Sequence, residues 1–403
     1  MKNIVNKIAI FLLSLTLIGT SCQKSIEEFF KQQFPEPNNL STDLAIDGEI
    51  AAPILNTSLS LVNFIPTNLD SSLWIQVDNE KIIHLRMYFK EFFTINASQI
   101  FGCPVPGTIP ADSFSFSSDT NKLKIYDNVL EGHVYFNDPR FKIILYNRIP
   151  IITFLKVDTL RFHSEAYSTV YKTPFQKIYI NRPFTPTETA KTEILIDKQK
   201  LPGLELTFSP VPKFISFRIT TGTDIPQTFN TSQFPDICDR KITGDLDIDL
   251  PLNIRIDNLT LADTSAFPEL KDNIEQIDSV KIKLFIDNDI PIGGKVNLSL
   301  TDTNAQGQVN NIIMKILEDW NFASSQTNNQ GFTVTSGKSV LIYKFSQADL
   351  KKIKDNNASK FILSIKLDSY NTAQLQQAKI LSNYKIKVKM GIKISYKGNT
   401  NQI

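Results

Sequence analysis

Between Lys385 and Tyr396 the chain reads Lys-Ile-Lys-Val-Lys-Met-Gly-Ile-Lys-Ile-Ser-Tyr, with an apolar side chain at every second residue. A strand turns successive side chains to opposite faces, so this segment buries one face and wets the other. Leu123 to Ile125, Val129 to Phe136, Phe141 to Tyr146, Thr159 to Phe162 and Leu204 to Phe208 are also short and rich in Ile, Val, Phe, Tyr and Thr. Asn-Asp, Pro or Gly punctuates them, as strand ends require. Helical patterns are few: Phe267 to Gln276, and Ser346 to Lys354 with Ser346 as N-cap and Asp349 at N3. The expected fold class is all-β, with tandem antiparallel β-sandwich-like domains and one or two short helices.

An internal echo organises these strands. Phe141-Lys-Ile-Ile-Leu-Tyr-Asn-Arg-Ile-Pro-Ile151 aligns with Ile282-Lys-Leu-Phe-Ile-Asp-Asn-Asp-Ile-Pro-Ile292, five of eleven positions being identical at an offset of 141 residues. Proline cannot donate to a sheet ladder, so each copy reads as a strand leaving its sheet at a set point. A looser echo pairs Ala52-Pro53-Ile54, leading to Leu59-Ser60-Leu61, with Leu250-Pro251-Leu252, leading to Leu259-Thr260-Leu261. The expected organisation is a first β unit over 44–225, or two small sandwiches there, a linker over 226–242 and a second unit over 243–398. An insertion over 99–120 lengthens the first.

The N-terminus bears on location. Met1-Lys2-Asn3 and Lys7 precede an apolar run from Ile8 to Ile18, and Gly19-Thr20-Ser21 lead into Cys22. The run is too short for a stop-transfer helix of about 20 residues, and the pattern is that of a secretory signal over 1–21. A cleavage site ending at a cysteine is similar to that of bacterial lipoproteins, which makes Cys22 the expected lipidation site. Residues 22–43 read as a tether, with a Ser25-x-x-Glu28 capping box stopped by Pro35 and Pro37.

The remaining cysteines, Cys103 and Cys238, lie in proline-bearing stretches. Outside the cytoplasm they form a candidate disulfide. A net charge of +2, with Lys and Asp interspersed, gives no expectation of a nucleic-acid partner.

Chemistry-bearing patterns are sparse. His84, His133 and His163 each stand alone in strand-like settings, without the paired spacing of a metal site. No Gly-x-Ser-x-Gly elbow supports a Ser-His-Asp triad. Asp245-Leu-Asp-Ile-Asp249 starts like an EF-hand loop but has Leu250 and Ile256 where Gly and Glu are needed. The three Asp read instead as the wet face of a strand, suited to pairing with Lys385, Lys387, Lys389 and Lys393 if the two strands were neighbours. Trp74 and Trp320 are the candidate aromatic ligand platforms. No cofactor, metal or catalytic residue is expected.

The lipoprotein start, Ala52 to Leu61, Asp249 to Leu252, the two Asn-x-Ile-Pro-Ile strands and the final lysine-rich strand together resemble a group of Bacteroidota cell-envelope lipoproteins without an assigned function. The strand-Asn-x-x-Pro arrangement is also loosely similar to the β-sandwich of late-embryogenesis and water-stress domains. Gln23-Lys24 followed by Glu27-Glu28 is similar to the export tag of this phylum, interrupted by Ser25-Ile26. The resemblance implies outer-membrane anchoring through Cys22, with the cell surface favoured over the periplasmic face. The functional expectation is a non-catalytic accessory or scaffold subunit with a β-barrel or lipoprotein partner. A glycan- or lipid-binding lipoprotein feeding an uptake system is the alternative.

Overall fold

A computed structural model describes residues 49–60, 73–102, 108–118, 120–123, 129–163, 168–172, 177–228, 232–266, 277–304, 308–356, 358–370 and 376–396. Cys22, Cys103, the signal and tether segments, and the helix expected over 267–276 lie outside these residues. The chain divides into two units. The split unit combines Met1–Ile65, Asn128–Glu131 and Ile256–Ile403, and the inserted unit combines Pro66–Asp127 and Gly132–Arg255.

In the inserted unit lie β2 (Leu73–Val77), β3 (Ile83–Asn96), β4 (Asp112–Ser117), β5 (Arg140–Asn147), β6 (Thr153–His163), β7 (Ser168–Lys172), β8 (Ala190–Ile196), β9 (Phe214–Thr223) and β10 (Lys241–Pro251). One antiparallel sheet runs β8-β5-β10-β3-β2, and a second has the core order β7-β6-β9-β4. The split unit holds β1 (Glu49–Ser60), β11 (Asn253–Ala266), β12 (Ile277–Asn288), β13 (Ile292–Thr303), β14 (Val309–Phe322), β15 (Gly337–Ser346), β16 (Lys360–Ser369) and β17 (Lys385–Tyr396). Its sheets run β15-β12-β17-β1 and β14-β13-β16-β11. Both are all-β, as the period-two pattern requires.

The two lists match strand for strand. Replacing β3, β4, β5, β6, β7, β8, β9 and β10 by β1, β11, β12, β13, β14, β15, β16 and β17 converts one unit's sheet orders into the other's, β2 being an addition. The units are thus related, as the echo implies, but their boundaries differ from a tandem arrangement. β1 pairs with the final strand β17, so the chain's first strand completes its last sandwich. β10 pairs with β3 and β5, so the residues after 243 begin inside the inserted unit. One sandwich is therefore inserted between the first and second strands of the other. The expected linker over 226–242 is also part of the inserted unit. Its Gln227–Thr228 bridge pairs with Thr108–Ile109. Arg240, buried, donates from Nη1 to the Arg148 and Pro186 carbonyls, both at 3.1 Å.

The Asn-x-Ile-Pro-Ile echo has one structural cause in both copies. Asn147 and Asn288 are fully buried. Asn147 Oδ1 accepts from Ile149 N at 2.7 Å and its Nδ2 donates to Asn181 O at 2.9 Å. Asn288 Oδ1 accepts from Ile290 N at 2.9 Å, and its Nδ2 donates to Ile292 O at 2.9 Å and Ala323 O at 3.0 Å. The next residue, Arg148 or Asp289, donates its N–H to the carbonyl of the first residue of β10 or β17, at 3.1 and 2.9 Å. The amide side chain thus satisfies backbone groups that the departing strand leaves without ladder partners. The looser echo around Pro53 and Pro251 joins β1 to the β10–β11 region, which are not equivalent strands. It is a likeness of composition only.

Phenylalanines fill the inserted unit's core. Phe208 sits 5.0 Å from Phe136, 5.6 Å from Phe162 and 6.3 Å from Phe141, ring centre to ring centre. Leu204 to Phe208, expected as a strand, is instead a turn of 3-10 helix over Leu204–Leu206 followed by Phe208. Gly203, with φ of 87°, turns the chain, and Leu204 and Phe208, four residues apart, both point inward. Helical spacing wins there because a one-turn element buries both side chains at once. In the split unit Leu300, Ile313, Met314 and Ile353 form a core cluster. Ile353 comes from α2 (Gln347–Asp355), which starts at the expected cap, Asp349 N donating to Ser346 Oγ at 3.2 Å. The sequence reading overlooked α1 (Ala97–Phe101), whose signal is a capping box in which Asn96 N donates to Gln99 Oε1 at 2.8 Å.

Candidate functional site

The outer face of sheet β8-β5-β10-β3-β2, hereafter the aspartate sheet, carries a charge lattice. Alternation on β10 buries Leu246 and Ile248 and turns Asp247 and Asp249 outward. In register, Asp249 lies between Arg86 of β3 and Arg140 of β5, and Asp247 lies between Tyr88 and Lys142. Arg86 Nη2 donates to both Asp247 oxygens, at 2.9 and 2.6 Å, and its Nη1 donates to Gln76 Oε1 at 2.8 Å. This charge-assisted contact, one nitrogen shared between both oxygens, holds the two side chains together. Asp245 plays another part: buried, it accepts Glu91 N at 2.7 Å and the Tyr88 hydroxyl, capping the bulge where β3 and β10 slip register. Burial, then the Asp245 carboxylate, push the Tyr88 hydroxyl's pKa upward.

The aspartates therefore pair across β3 and β5 and not with Lys385, Lys387, Lys389 and Lys393. β10 and β17 occupy equivalent places in two different sandwiches, so they cannot be neighbours in one sheet.

His84 sits at the end of this lattice, with Nδ1 2.7 Å from Asp249 Oδ1 and Nε2 3.3 Å from Asp78 Oδ2. The hydrogen bond to Asp249 raises its pKa, desolvation opposes, and Asp78 adds to the rise. A raised folded-state pKa stabilises fully below the unfolded value of about 6.5, and that stabilisation fades as pH climbs through the folded value. The thermal-unfolding advantage of the native chain over His84→Gln should therefore shrink as pH rises above about 6.5. A difference that stays constant with pH would show that the imidazole is not protonated between the two carboxylates.

Beside the lattice lies a cleft of about 370 Å³ lined by Arg86, Asp138, Arg140, Lys142, Asp247 and Asp249. The turn after β8 closes it with Asp197, Lys198 and Gln199. Arg140 pairs with Asp138. The lining alternates donors and acceptors, a chemistry matched to hydroxyl-rich ligands. Trp74 pairs in register with Arg86, whose guanidinium lies 5.7 Å from its ring centre. This candidate platform thus stands half-buried on the outer face beside a cleft residue. Trp320 does not: it is half-buried on β14 opposite the buried Val296, so its ring leans towards the core.

The candidate cysteine pair is half visible. α1 packs on the turn Ile237–Asp239 that carries Cys238, and Cys103 follows α1 by two residues in sequence, outside the described residues.

The outer face of sheet β15-β12-β17-β1, hereafter the lysine sheet, contrasts with the aspartate sheet. β17 presents Lys385, Lys387, Lys389 and Lys393 on the face opposite its buried Ile386, Val388 and Ile394. β12 adds Lys281 and Lys283, and β15 adds Lys338 and Lys344. Phe285, Val340 and Ile342 are exposed among them, at 42%, 52% and 51%.

Among the described residues no group of three or more His, Cys, Asp or Glu is placed to hold a metal ion, and no helix is long and apolar enough to cross a membrane.

The chain matches no protein-family model and no curated protein. Among solved structures, a Parabacteroides distasonis protein described as secreted shares 12% identity over 87% of this chain and 100% of its own, with a TM-score of 0.42. A tandem CBM22 domain of Paenibacillus barcinonensis Xyn10C shares 9% identity over 87% and 99%, with a TM-score of 0.15. The infectious bursal disease virus Gx strain structure shares 8% over 81% and 46%, with a TM-score of 0.18. At these TM-scores the likeness carries no argument about what the chain does.

Proposed function

We propose that this chain is a non-catalytic cell-envelope lipoprotein, held in the outer membrane by lipid on Cys22, that serves as an accessory or scaffold subunit of an outer-membrane assembly. The observation that carries partner binding is an apolar patch on the inserted unit. Tyr179 and Ile225 are exposed at 59% and 60%, with Ile152 also exposed. Tyr179 donates to Asp224 Oδ2 at 2.9 Å, and Gln227 donates to Ile152 O at 2.6 Å, which ties three separate segments together there. Clustered large apolar side chains at a surface mark an interaction site more often than scattered ones do. Connectivity supports the division of labour. The N-terminal segment leads into β1, which belongs to the split unit, so the tether enters that unit and the inserted unit is the one it carries. A β-barrel or a second lipoprotein is the partner class, and the export-tag resemblance favours the cell surface.

A Tyr179→Ser, Ile225→Asp double variant should stay anchored and unfold at the native temperature. It should recover a co-purifying partner about tenfold less well, because buried interface aromatics dominate affinity. Equal recovery would remove the patch from the account.

The cleft beside Trp74 favours a second reading, in which the inserted unit binds a glycan. Oligosaccharide should then shift tryptophan emission in the native protein and not in Trp74→Ala. A shift that persists in Trp74→Ala, or none in either protein, would discard this reading.

A further inference from the structure

The lysine sheet carries more like charge than its fold requires. Register places the exposed side chains in rows. Lys344, Lys281 and Lys393 lie side by side, as do Ile342, Lys283 and Gly391, then Val340, Phe285 and Lys389, then Lys338, Asp287 and Lys387. The three apolar residues are therefore contiguous and ringed by ammonium groups. Lys283 Nζ lies 4.6 Å from the Phe285 ring centre, its stem covering apolar surface while its head stays at the rim. Lysines directly opposite one another, as Lys344 and Lys281 are, repel and destabilise a sheet. The equivalent face of the inserted unit shows that the fold does not need them. There β10 presents aspartates where β17 presents lysines, and cations on both flanks neutralise them.

We infer that the outer face of the lysine sheet lies against the anionic headgroup surface of a lipid membrane, the lysines meeting headgroup phosphates while Phe285, Val340 and Ile342 enter the boundary with the acyl chains. An apolar island within a basic ring on a sheet face is suited to a charged lipid surface, because each lysine gains attraction there and the island gains burial. Charge complementarity argues for this occupant over a protein: apart from Asp287, which pairs with Lys387 at 3.8 Å, the four rows carry no acid to match a mixed-charge partner. Chain connectivity agrees. Glu49, the first residue of β1, pairs beside β17 in this same sheet, so the segment from the N-terminus reaches the molecule here. The inference stands independently of lipid on Cys22.

The test uses the full chain carrying Cys22→Ser, so that no lipid contributes. It should sediment with vesicles of equimolar phosphatidylglycerol and phosphatidylcholine and not with vesicles of phosphatidylcholine alone. Lys283→Ala, Lys387→Ala and Lys389→Ala together should weaken the apparent affinity by about 100-fold, at roughly fivefold per lysine near an anionic surface. Phe285→Ser with Val340→Ser should weaken it by about tenfold. Lys315→Ala, on the opposite sheet, should change nothing. The triple variant loses one exposed ion pair, Lys387 with Asp287, and no buried side chain, so it should melt within a few degrees of its parent, which separates lost binding from lost folding. No sedimentation with the anionic vesicles, equal binding to neutral ones, or unchanged affinity of the folded triple variant would each overturn the inference.

Discussion

Cys22→Ser should move the protein from a detergent-extractable membrane fraction to one released by a salt wash. Mature bacterial lipoproteins carry several acyl chains on this cysteine, and more than one chain is what makes anchoring stable against washing. Serine has no thiol for that linkage. The salt wash matters because the lysine sheet supplies a second, electrostatic attachment. That attachment weakens as the screening length falls from about 10 Å at 0.1 M salt to about 3 Å at 1 M. The native chain should resist the wash entirely. A variant still needing detergent would show that Cys22 is not the anchor, and a native chain released by salt alone would show that there is no lipid.

The second large effect falls on the buried asparagines. Asn288→Ala removes the partner of Ile290 N, Ile292 O and Ala323 O in one step. Each buried backbone group left unsatisfied costs about 1–3 kcal/mol, so a loss on the order of 3 kcal/mol or more is expected. Asn147→Ala should cost a similar amount through Ile149 N and Asn181 O. The two changes strike different sandwiches, so calorimetry should show each variant lowering a different unfolding transition. Both variants lowering one shared transition would contradict two separate cooperative units. An effect below about 0.5 kcal/mol would mean that water replaces the amide.

Much of this fold was legible because strand alternation is local. Lys385 to Tyr396 declares its buried and wet faces without reference to any partner. The Asn-x-Ile-Pro-Ile echo went further, pointing to two related units and to the place where β5 and β12 leave their sheets. The boundaries were not legible, because pairing is non-local. Nothing near Glu49 announces that its strand completes a sandwich with a strand that begins at Lys385. The sheet to which Lys241–Pro251 belongs is hidden for the same reason. The segment's alternation identifies a strand but not its neighbours, so pairing of its aspartates with the lysines of 385–393 stays conditional until register supplies Arg86, Arg140 and Lys142 instead. Leu204 to Phe208 was misread because Leu, Leu and Phe at every second position fit a strand, while the turn set by Gly203 selects the four-residue spacing. The cleft was hidden for a further reason. Arg86, Arg140 and Asp247 are unremarkable one by one, and only the register of β3, β10 and β5 brings them together.

The most direct measurement is purification of the native, lipidated protein from detergent-solubilised outer membrane, with mass spectrometry of what co-elutes. A scaffold or accessory subunit should bring a stoichiometric β-barrel or lipoprotein partner that the Tyr179→Ser, Ile225→Asp variant loses. The native chain eluting alone, from membranes where it is abundant, would contradict the account.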